Sequence, residues 1–181
     1  MTIFEMLQDM KAFVGDAVKD MILPCKPTRD GAEVERAPEV HLQRLPDSRS
    51  PDKISPYVLI QAIKWRYVQE AGRYDKAFVT LRFICCVFGD NEEEGSLRLV
   101  NLFDRLNFCL LKKCVVAKKF RLDKTAALEG LIYPEDTAPF YAGELMGDFE
   151  MAPITRELDL SGAVTVEGTF RIGEQDAQSV P

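Results

Sequence analysis

The chain has 181 residues, of which 46% are hydrophobic and 29% are charged, and its formal net charge is −6. This is an ordinary globular composition, sufficient to bury a core in one domain with or without a tail. The acidic balance argues against a protein that wraps DNA, because phosphate binding depends on Lys and Arg neutralising charge. It is compatible with a path along which DNA must slide without sticking.

The N-terminal segment predicts an amphipathic helix over residues 2–22, because its apolar residues fall at steps of three and four. They are Ile3, Met6, Leu7, Met10, Phe13, Val14, Ala17, Val18 and Met21. Pro24 is expected to stop the helix. The segment has no basic start and is interrupted by charges, so it predicts neither a signal peptide nor a membrane span. We expect the protein to be made in the cytoplasm.

Residues 24–56 are rich in proline and are predicted to be mostly loop, with one short strand at residues 39–45. Alternation in this strand places Val40 and Leu42 on one face and His41 on the other. His41 is the only histidine of the chain. We interpret it as a surface or packing residue, because a zinc site needs several spaced Cys or His ligands.

Two long apolar segments, residues 57–69 and 76–88, predict a β-hairpin with Gly72 in its turn. The second strand has one unbroken apolar face and one face that mixes polar and apolar side chains. The apolar face consists of Val79, Leu81, Phe83, Cys85 and Val87. Because the mixed face is partly apolar too, we expect the helices or a neighbouring subunit to cover it.

An acidic run follows the hairpin and consists of Asp90, Glu92, Glu93 and Glu94. These carboxylates could form a metal or catalytic site, or they could begin a helix. We favour the helix start, because Asn91 or Asp90 is a good N-cap and acidic side chains are stabilised at the positive end of the helix dipole. Asn91 and Glu94 have near capping-box spacing. The run does not match the spacing of a calcium-binding loop.

The helix predicted after this run ends near Lys112 and Lys113, cations at its negative end. Its apolar stripe consists of Leu99, Leu102, Phe103, Leu106 and Leu110. Arg98, Asn101, Asp104 and Arg105 are predicted to face away from that stripe.

Further strands are predicted in residues 115–133 and at 140–152, with Gly143 and Gly147 as β-bulges in the last one. Glu135 and Asp136 are interpreted as turn residues rather than an acid/base pair. These elements predict an α+β fold, a mainly antiparallel sheet with a long β-hairpin, packed by an N-terminal helix and a second, central helix. We expect one domain over residues 1–156 and a C-terminal extension, 157–181, that is flexible or becomes ordered on a partner.

The five cysteines are Cys25, Cys85, Cys86, Cys109 and Cys114. Their odd number and the lack of a CxxC pair predict buried thiols in a reducing compartment. The sequence contains no GxSxG, P-loop, HExxH or dinucleotide-binding motif. We therefore expect a protein that is not an enzyme and has no catalytic, cofactor-binding or metal-binding residues.

Four segments together resemble a known family. They read SPYVLIQAIKW at 55–65, VTLRFICCVFG at 79–89, GSLRLVNLFDRL at 95–106 and LEGLIYPEDTAPFYAGELMGDFEMAP at 128–153. In this order they resemble the tail terminator (tail completion) proteins of long-tailed phages and prophages of Gram-positive bacteria. The resemblance covers roughly residues 1–156, and its motifs are patterns of shape rather than of chemistry. The acidic run is heavier than in that family, and the chain after Arg156 lies outside the pattern.

The resemblance implies a homo-oligomeric ring, commonly a hexamer, at the head-proximal end of the tail tube in the virion. Such a ring stops polymerisation of the tail tube protein and joins the tail to the head–tail connector. DNA passes through its lumen without specific binding. The resemblance implies no catalytic residues, no cofactor and no membrane contact.

Two kinds of alternative remain open. Another neck component, such as a head-closure or adaptor protein, or a tail tube subunit would be a structural protein of the same assembly. A tube subunit should form long polymers, and an adaptor should bind the portal. The alternative of a different class is a small metal-dependent hydrolase that uses Asp90, Glu92, Glu93 and Glu94, and it should bind a divalent ion.

Overall fold

The computed structural model describes residues 2–27, 34–46, 54–68, 76–134 and 138–152. Within them, two helices pack on one face of a mainly antiparallel sheet, which confirms the predicted α+β fold. The helices are α1 (Ile3–Val18) and α2 (Glu92–Lys113). The strands are β1 (Leu23–Pro24), β2 (Glu35–Arg36), β3 (Glu39–Leu42), β4 (Tyr57–Val68), β5 (Lys76–Phe88), β6 (Val115–Val116), β7 (Phe120–Leu122), β8 (Glu129–Ile132) and β9 (Phe140–Met151).

Helix α1 begins with a capping box that the sequence analysis did not identify. The Thr2 hydroxyl accepts a hydrogen bond from the Glu5 backbone N–H at 3.2 Å, and the Glu5 carboxylate accepts one from the Thr2 N–H at 2.8 Å. The predicted end at residue 22 is wrong, because α1 ends at Val18. Met21 donates its N–H to the Val18 carbonyl at 3.0 Å in a tight turn, which still buries the Met21 side chain.

The predicted hairpin is confirmed by the antiparallel pairing of β4 with β5, from Tyr57 opposite Cys86 to Val68 opposite Lys76. Gly72 and the rest of the connection lie outside the described residues. The register between the two strands shifts once, between Ala62 and Lys64. Strand β5 lies in the centre of the sheet, with β4 on one side and β9 on the other.

The prediction of β-bulges at Gly143 and Gly147 is wrong. Strands β5 and β9 pair without interruption from Ala77–Met151 to Phe88–Phe140. These glycines instead make room for side chains on the helix-covered face of the sheet. A Cβ atom at Gly143 would lie 2.9 Å from the Phe103 ring, and one at Gly147 would lie 2.8 Å from a Leu128 methyl group.

The shorter strands differ from their predicted bounds. The strand predicted at 39–45 ends at Leu42, because Gln43 has a positive φ of 61°, and it pairs parallel with the first residues of β4. The strands predicted within 115–133 are three short strands, β6, β7 and β8. A tight turn with positive φ at Ala117 and Lys118 separates β6 from β7. Glu135 and Asp136 lie outside the described residues, as does the extension 157–181.

The main core lies between the helices and the sheet. It buries the predicted apolar face of β5 and the predicted stripe of α2, which confirms both predictions. A second, smaller cluster lies on the opposite face of the sheet and consists of Ile54, Tyr57, Leu59 and Cys86, with Leu45, Ile84, Phe140 and Ala142 packed against it. Where this cluster lies, Leu45 and Ile54 from the loop before β4 cover that face and the helices do not, so the expected cover by the helices is wrong there, and cover by a neighbouring subunit stays a prediction.

Candidate interaction surface

The acidic run lies at the start of α2, as predicted. Asn91 is the N-cap, and its side-chain oxygen accepts a hydrogen bond from the Glu93 N–H at 3.0 Å. Glu94 does not complete a capping box, because it forms an ion pair with Arg98 one turn further along the helix. Glu92 and Glu93 are exposed in the first turn. Glu92, Glu93 and Glu94 thus lie in the first turn of α2, where the helix dipole stabilises acidic side chains, and Asp90 precedes the N-cap.

The described residues contain no group of three or more His, Cys, Asp or Glu side chains that could hold a metal ion. His41 projects from β3, with its ring edge-on to Tyr57 at 6.5 Å between centroids and its Nε2 atom 3.5 Å from Glu39. Burial lowers the pKa of His41, which favours the neutral imidazole. Its surroundings are those of a packing residue, as the sequence analysis proposed.

The five cysteines are free thiols, but the prediction that all are buried is only partly correct. Cys85 faces the main core and Cys86 faces the second cluster, because adjacent strand residues point to opposite faces. Burial raises the pKa of both thiols, that of Cys86 to about 11. Neither has the lowered pKa of a catalytic nucleophile. Cys25, Cys109 and Cys114 are half-buried.

A hydrogen-bonded polar network crosses the face of the sheet that points away from the helices. Arg82 on β5 donates to the Gln61 side-chain oxygen on β4 at 2.7 Å and lies 3.4 Å from the Glu144 carboxylate on β9. Tyr133 donates its hydroxyl to Glu144 at 2.9 Å. Burial and the bond to Glu144 raise the pKa of Tyr133. This network connects β4, β5 and β9, and its polar side chains serve as hydrogen-bond partners for one another.

An open groove of about 370 Å³ runs between α1 and the end of α2. Its charged side chains already have partners within the chain. Lys113 lies over the Phe13 ring at 5.2 Å, and Lys119 pairs with Asp9 at 3.3 Å. The groove therefore offers neither an enclosed volume nor a convergent set of unpaired polar groups, which are the usual features of a ligand site.

Within the described residues, the second half of β4 is an unpaired sheet edge. Strand β3 pairs only with residues 57–60, so within the described chain no strand covers residues 61–68 on the side away from β5. We call this segment the free edge of β4. It carries the exposed apolar side chains Ile63, Trp65 and Tyr67. Trp65 is the only tryptophan of the chain and is 57% exposed.

Strand β8 is a second unpaired edge, on the opposite side of the sheet. It pairs with β9 through residues 129–132 opposite 143–146, and no described strand lies on its other side. All four of its residues are exposed, including Leu131 and Ile132. Unpaired backbone groups together with exposed apolar side chains make an edge that readily pairs with another chain.

A third exposed apolar feature is an outer stripe on α2, opposite the buried one. It consists of Leu97, Val100, Phe108 and Leu111, at spacings that keep them on one side of the helix. Only the buried stripe was predicted from the sequence, although the spacing of this second set is visible in the same segment. The sheet edges could not be found in this way, because strand pairing depends on residues far apart in the chain.

Within the described residues, no helix is both long and apolar enough to cross a membrane. The exposed apolar side chains on the two sheet edges and on α2 are features of surfaces that contact other proteins. No model of a known protein family matches the chain, and no characterised protein is significantly similar to it in sequence.

Proposed function

We propose that this protein is a structural component of virion assembly that caps the head-proximal end of a phage tail tube as a ring. In this role it ends polymerisation of the tube protein and joins the tail to the head–tail connector, and DNA passes through the lumen. The proposal combines the resemblance of four sequence segments to tail terminator proteins with the surface that the fold leaves exposed.

The observation that carries the proposal is that, in the part of the chain that the structure describes, one sheet has two different unpaired edges, the free edge of β4 and the outer edge of β8. A closed ring of identical subunits needs two different, mutually complementary patches on each subunit. Trp, Tyr and Arg are the residue types that contribute most to protein–protein binding, and Trp65, Arg66 and Tyr67 are adjacent on the free edge.

The remaining exposed surface suits contacts along the tail axis. A ring at the end of a tube must also bind the tube on one side and the connector on the other. The outer stripe of α2 provides an apolar surface that is separate from both sheet edges. The net charge of −6 supports passage of DNA through the lumen without retention.

The same two edges are compatible with a tail tube subunit or another neck component, so the experiment must separate capping from polymerisation. Tail tube protein encoded in the same genome is allowed to polymerise with and without this chain, and tube lengths and tube ends are measured by negative-stain electron microscopy. The proposal predicts shorter tubes with a closed ring at one end. Tubes of unchanged length and without a cap would refute it.

A matched pair of variants links capping to the free edge. Trp65→Ala removes an exposed aromatic side chain from the free edge, and Phe4→Ala removes one from α1, where it is 70% exposed. Both substitutions should leave the fold intact, because neither side chain is in the core. Trp65→Ala should abolish capping and Phe4→Ala should retain it. Equal loss with both variants would show that capping does not depend on the free edge.

A further inference from the structure

We propose that β8 of one copy pairs with the free edge of β4 in the next copy, so that the sheet continues from subunit to subunit. The inference rests on the proposed function, because it names the surfaces through which the ring would close. The occupant of the free edge is thus a second copy of this chain. Three properties of the described residues support this pairing: strand direction, charge and side-chain size.

Strand direction favours the pairing. Neighbouring strands are antiparallel from β4 to β5, from β5 to β9 and from β9 to β8. Strand β8 therefore runs opposite to β4. Suppose that the strands of a neighbouring copy are roughly aligned with those of the first copy. The β8 strand of the neighbour then runs antiparallel to the free edge of the first copy. The alternation of directions then continues across the subunit boundary.

The charges on the outer face of the sheet, which points away from the helices, are complementary. Lys64 and Arg66 project from this face of β4, because they lie opposite Thr80 and Phe78 on β5. Glu129 of β8 projects from the same face, opposite Met146 of β9. In a continuous sheet Glu129 of one copy would lie beside Lys64 of the next, whereas Arg66 already pairs with Asp148 of its own chain at 3.8 Å. Opposite charges across neighbouring strands are stabilising.

The side chains on the helix-facing side of the same strands are complementary in size. Trp65 and Tyr67 project from this face of the free edge, and Gly130 and Ile132 from this face of β8. A Cβ atom built at Gly130 would make only an ordinary contact, with a Leu145 methyl group at 3.8 Å, and Gly130 is exposed, so the surface has room for a side chain there. An aromatic ring from the next copy can cover this glycine, as occurs between paired strands in other sheets.

The other outer edge on that side of the sheet, β6, is a poorer partner for the free edge. It has two residues, against four in β8. It is also flanked by cations, Lys112 and Lys113 before it and Lys118 and Lys119 after it. Lys113 and Lys119 have partners in their own chain, but the exposed Lys118 would come close to Lys64, and like charges on neighbouring strands are destabilising.

The two edges lie at different levels of the sheet, and this offset fits a closed ring. The residues of β9 that pair with β8 align through β5 with residues 58–61 of β4, whereas the free edge spans 61–68. Measured along β5, the two segments align with residues 82–85 and 76–82, so their centres lie between four and five residues apart. This offset of about 15 Å, across four strand spacings of about 4.8 Å, tilts the strands by about 38°. Strands in closed barrels are tilted by roughly 35–45°.

A charge-swap experiment tests the pairing with two exposed residues, Lys64 and Glu129. Lys64→Glu places two acidic side chains at each boundary, and Glu129→Lys places only cations there. Each variant alone should self-associate about tenfold more weakly than the native chain, or worse. An equimolar mixture should recover association, because its boundaries alternate between a native pair and a swapped pair. Mass is followed by light scattering.

Trp65 provides a second readout, since it is the only tryptophan. Its emission should shift to shorter wavelength when the native chain or the mixture associates, and should not shift in either single variant. Lys118→Glu is the control, because it changes an exposed lysine beside β6. It should associate like the native chain. If Lys118→Glu weakened association, the result would indicate that the subunits contact each other through β6, and it would overturn the inference.

The outcomes separate this inference from the proposed function. Native rings that cap tubes, together with single variants that associate as tightly as the native chain, would overturn the β8–β4 pairing and leave the function standing. Recovery in the mixture, together with native assemblies that grow into long tubes, would support the pairing and overturn the capping function. Single variants that dissociate and do not recover on mixing would also overturn the pairing.

Discussion

The ring of Phe103 on α2 lies directly against Gly143 on β9. A Cβ atom at position 143 would be 2.9 Å from the Phe103 ring and 2.6 Å from the Leu131 carbonyl oxygen of β8. The absence of a side chain at this one position therefore determines both how closely the helix approaches the sheet and how closely β8 approaches β9.

Gly143→Ala should destabilise the protein by about 1–3 kcal/mol, because the new methyl group requires the helix or β8 to move. Gly15→Ala is the matched control, since nothing lies within 4 Å of a Cβ at this position inside α1. The control should be stabilising by about 0.5–1 kcal/mol, because glycine is unfavourable inside a helix. Urea unfolding measures both values. If both substitutions changed the free energy of unfolding in the same direction, Gly143 would not have the close contacts described here.

Phe103→Ala should reduce the free energy of unfolding by about 3 kcal/mol or more, as expected for a buried aromatic side chain. Phe103 is 7% exposed, whereas Phe108 on the same helix is 60% exposed. Phe108→Ala should therefore change the stability of the monomer by less than about 1 kcal/mol. If Phe103→Ala cost less than about 1 kcal/mol, the packing of α2 on the sheet would be wrong.

The double substitution Glu92→Ala and Glu93→Ala should destabilise the protein by well under about 2 kcal/mol, since exposed charges in the first helical turn contribute little each. Asn91→Ala, which removes the N-cap, should by itself cost about 1 kcal/mol. Calorimetric titration with Mg²⁺, Mn²⁺ and Ca²⁺ completes the test. Micromolar binding that the double substitution abolishes would favour the metal-dependent hydrolase instead.

Stability should fall between about pH 9 and pH 11, and Cys86 should contribute to the fall. Burial raises the pKa of Cys86 from an ordinary value of 9.0 to about 11 in the folded protein. The stability from keeping this thiol neutral is fully present below pH 9 and is lost as pH rises through 11. Burial also raises the pKa of Cys85 and Tyr57, so their effects have the same sign.

The comparison of the native chain with Cys86→Ala isolates this contribution. Urea unfolding at pH 8, 9, 10 and 11 should show a smaller loss of stability in the variant than in the native chain. An equal or larger loss in the variant would mean that Cys86 is not the buried, neutral thiol that the fold implies.

The sequence predicted the elements whose signal is local. The buried stripe of α2 repeats at three and four residues, and the apolar face of β5 alternates over nine residues, 79–87, so each pattern identified both the element and its buried side. The N-cap at Asn91 was found for the same reason, since the cap and the turn that it stabilises are adjacent in the chain.

The incorrect predictions concern features that depend on distant residues or on backbone conformation. Gly143 was interpreted as a bulge because the sequence does not reveal that Phe103 lies across from it. The strands after α2 were predicted too long, because Ala117 and Lys118 are not residues that usually mark a left-handed turn. The free edge of β4 follows from the short length of β3, a non-local property of the sheet.

The central claim is that the chain forms a closed ring, and it is tested most directly by light scattering on the purified protein over a wide concentration range, with negative-stain images of the same fractions. The proposal predicts a single assembled mass that stops increasing with concentration, and round particles of uniform diameter. A mass that grows without limit, with long tubes in the images, or a strict monomer at every concentration, would contradict it.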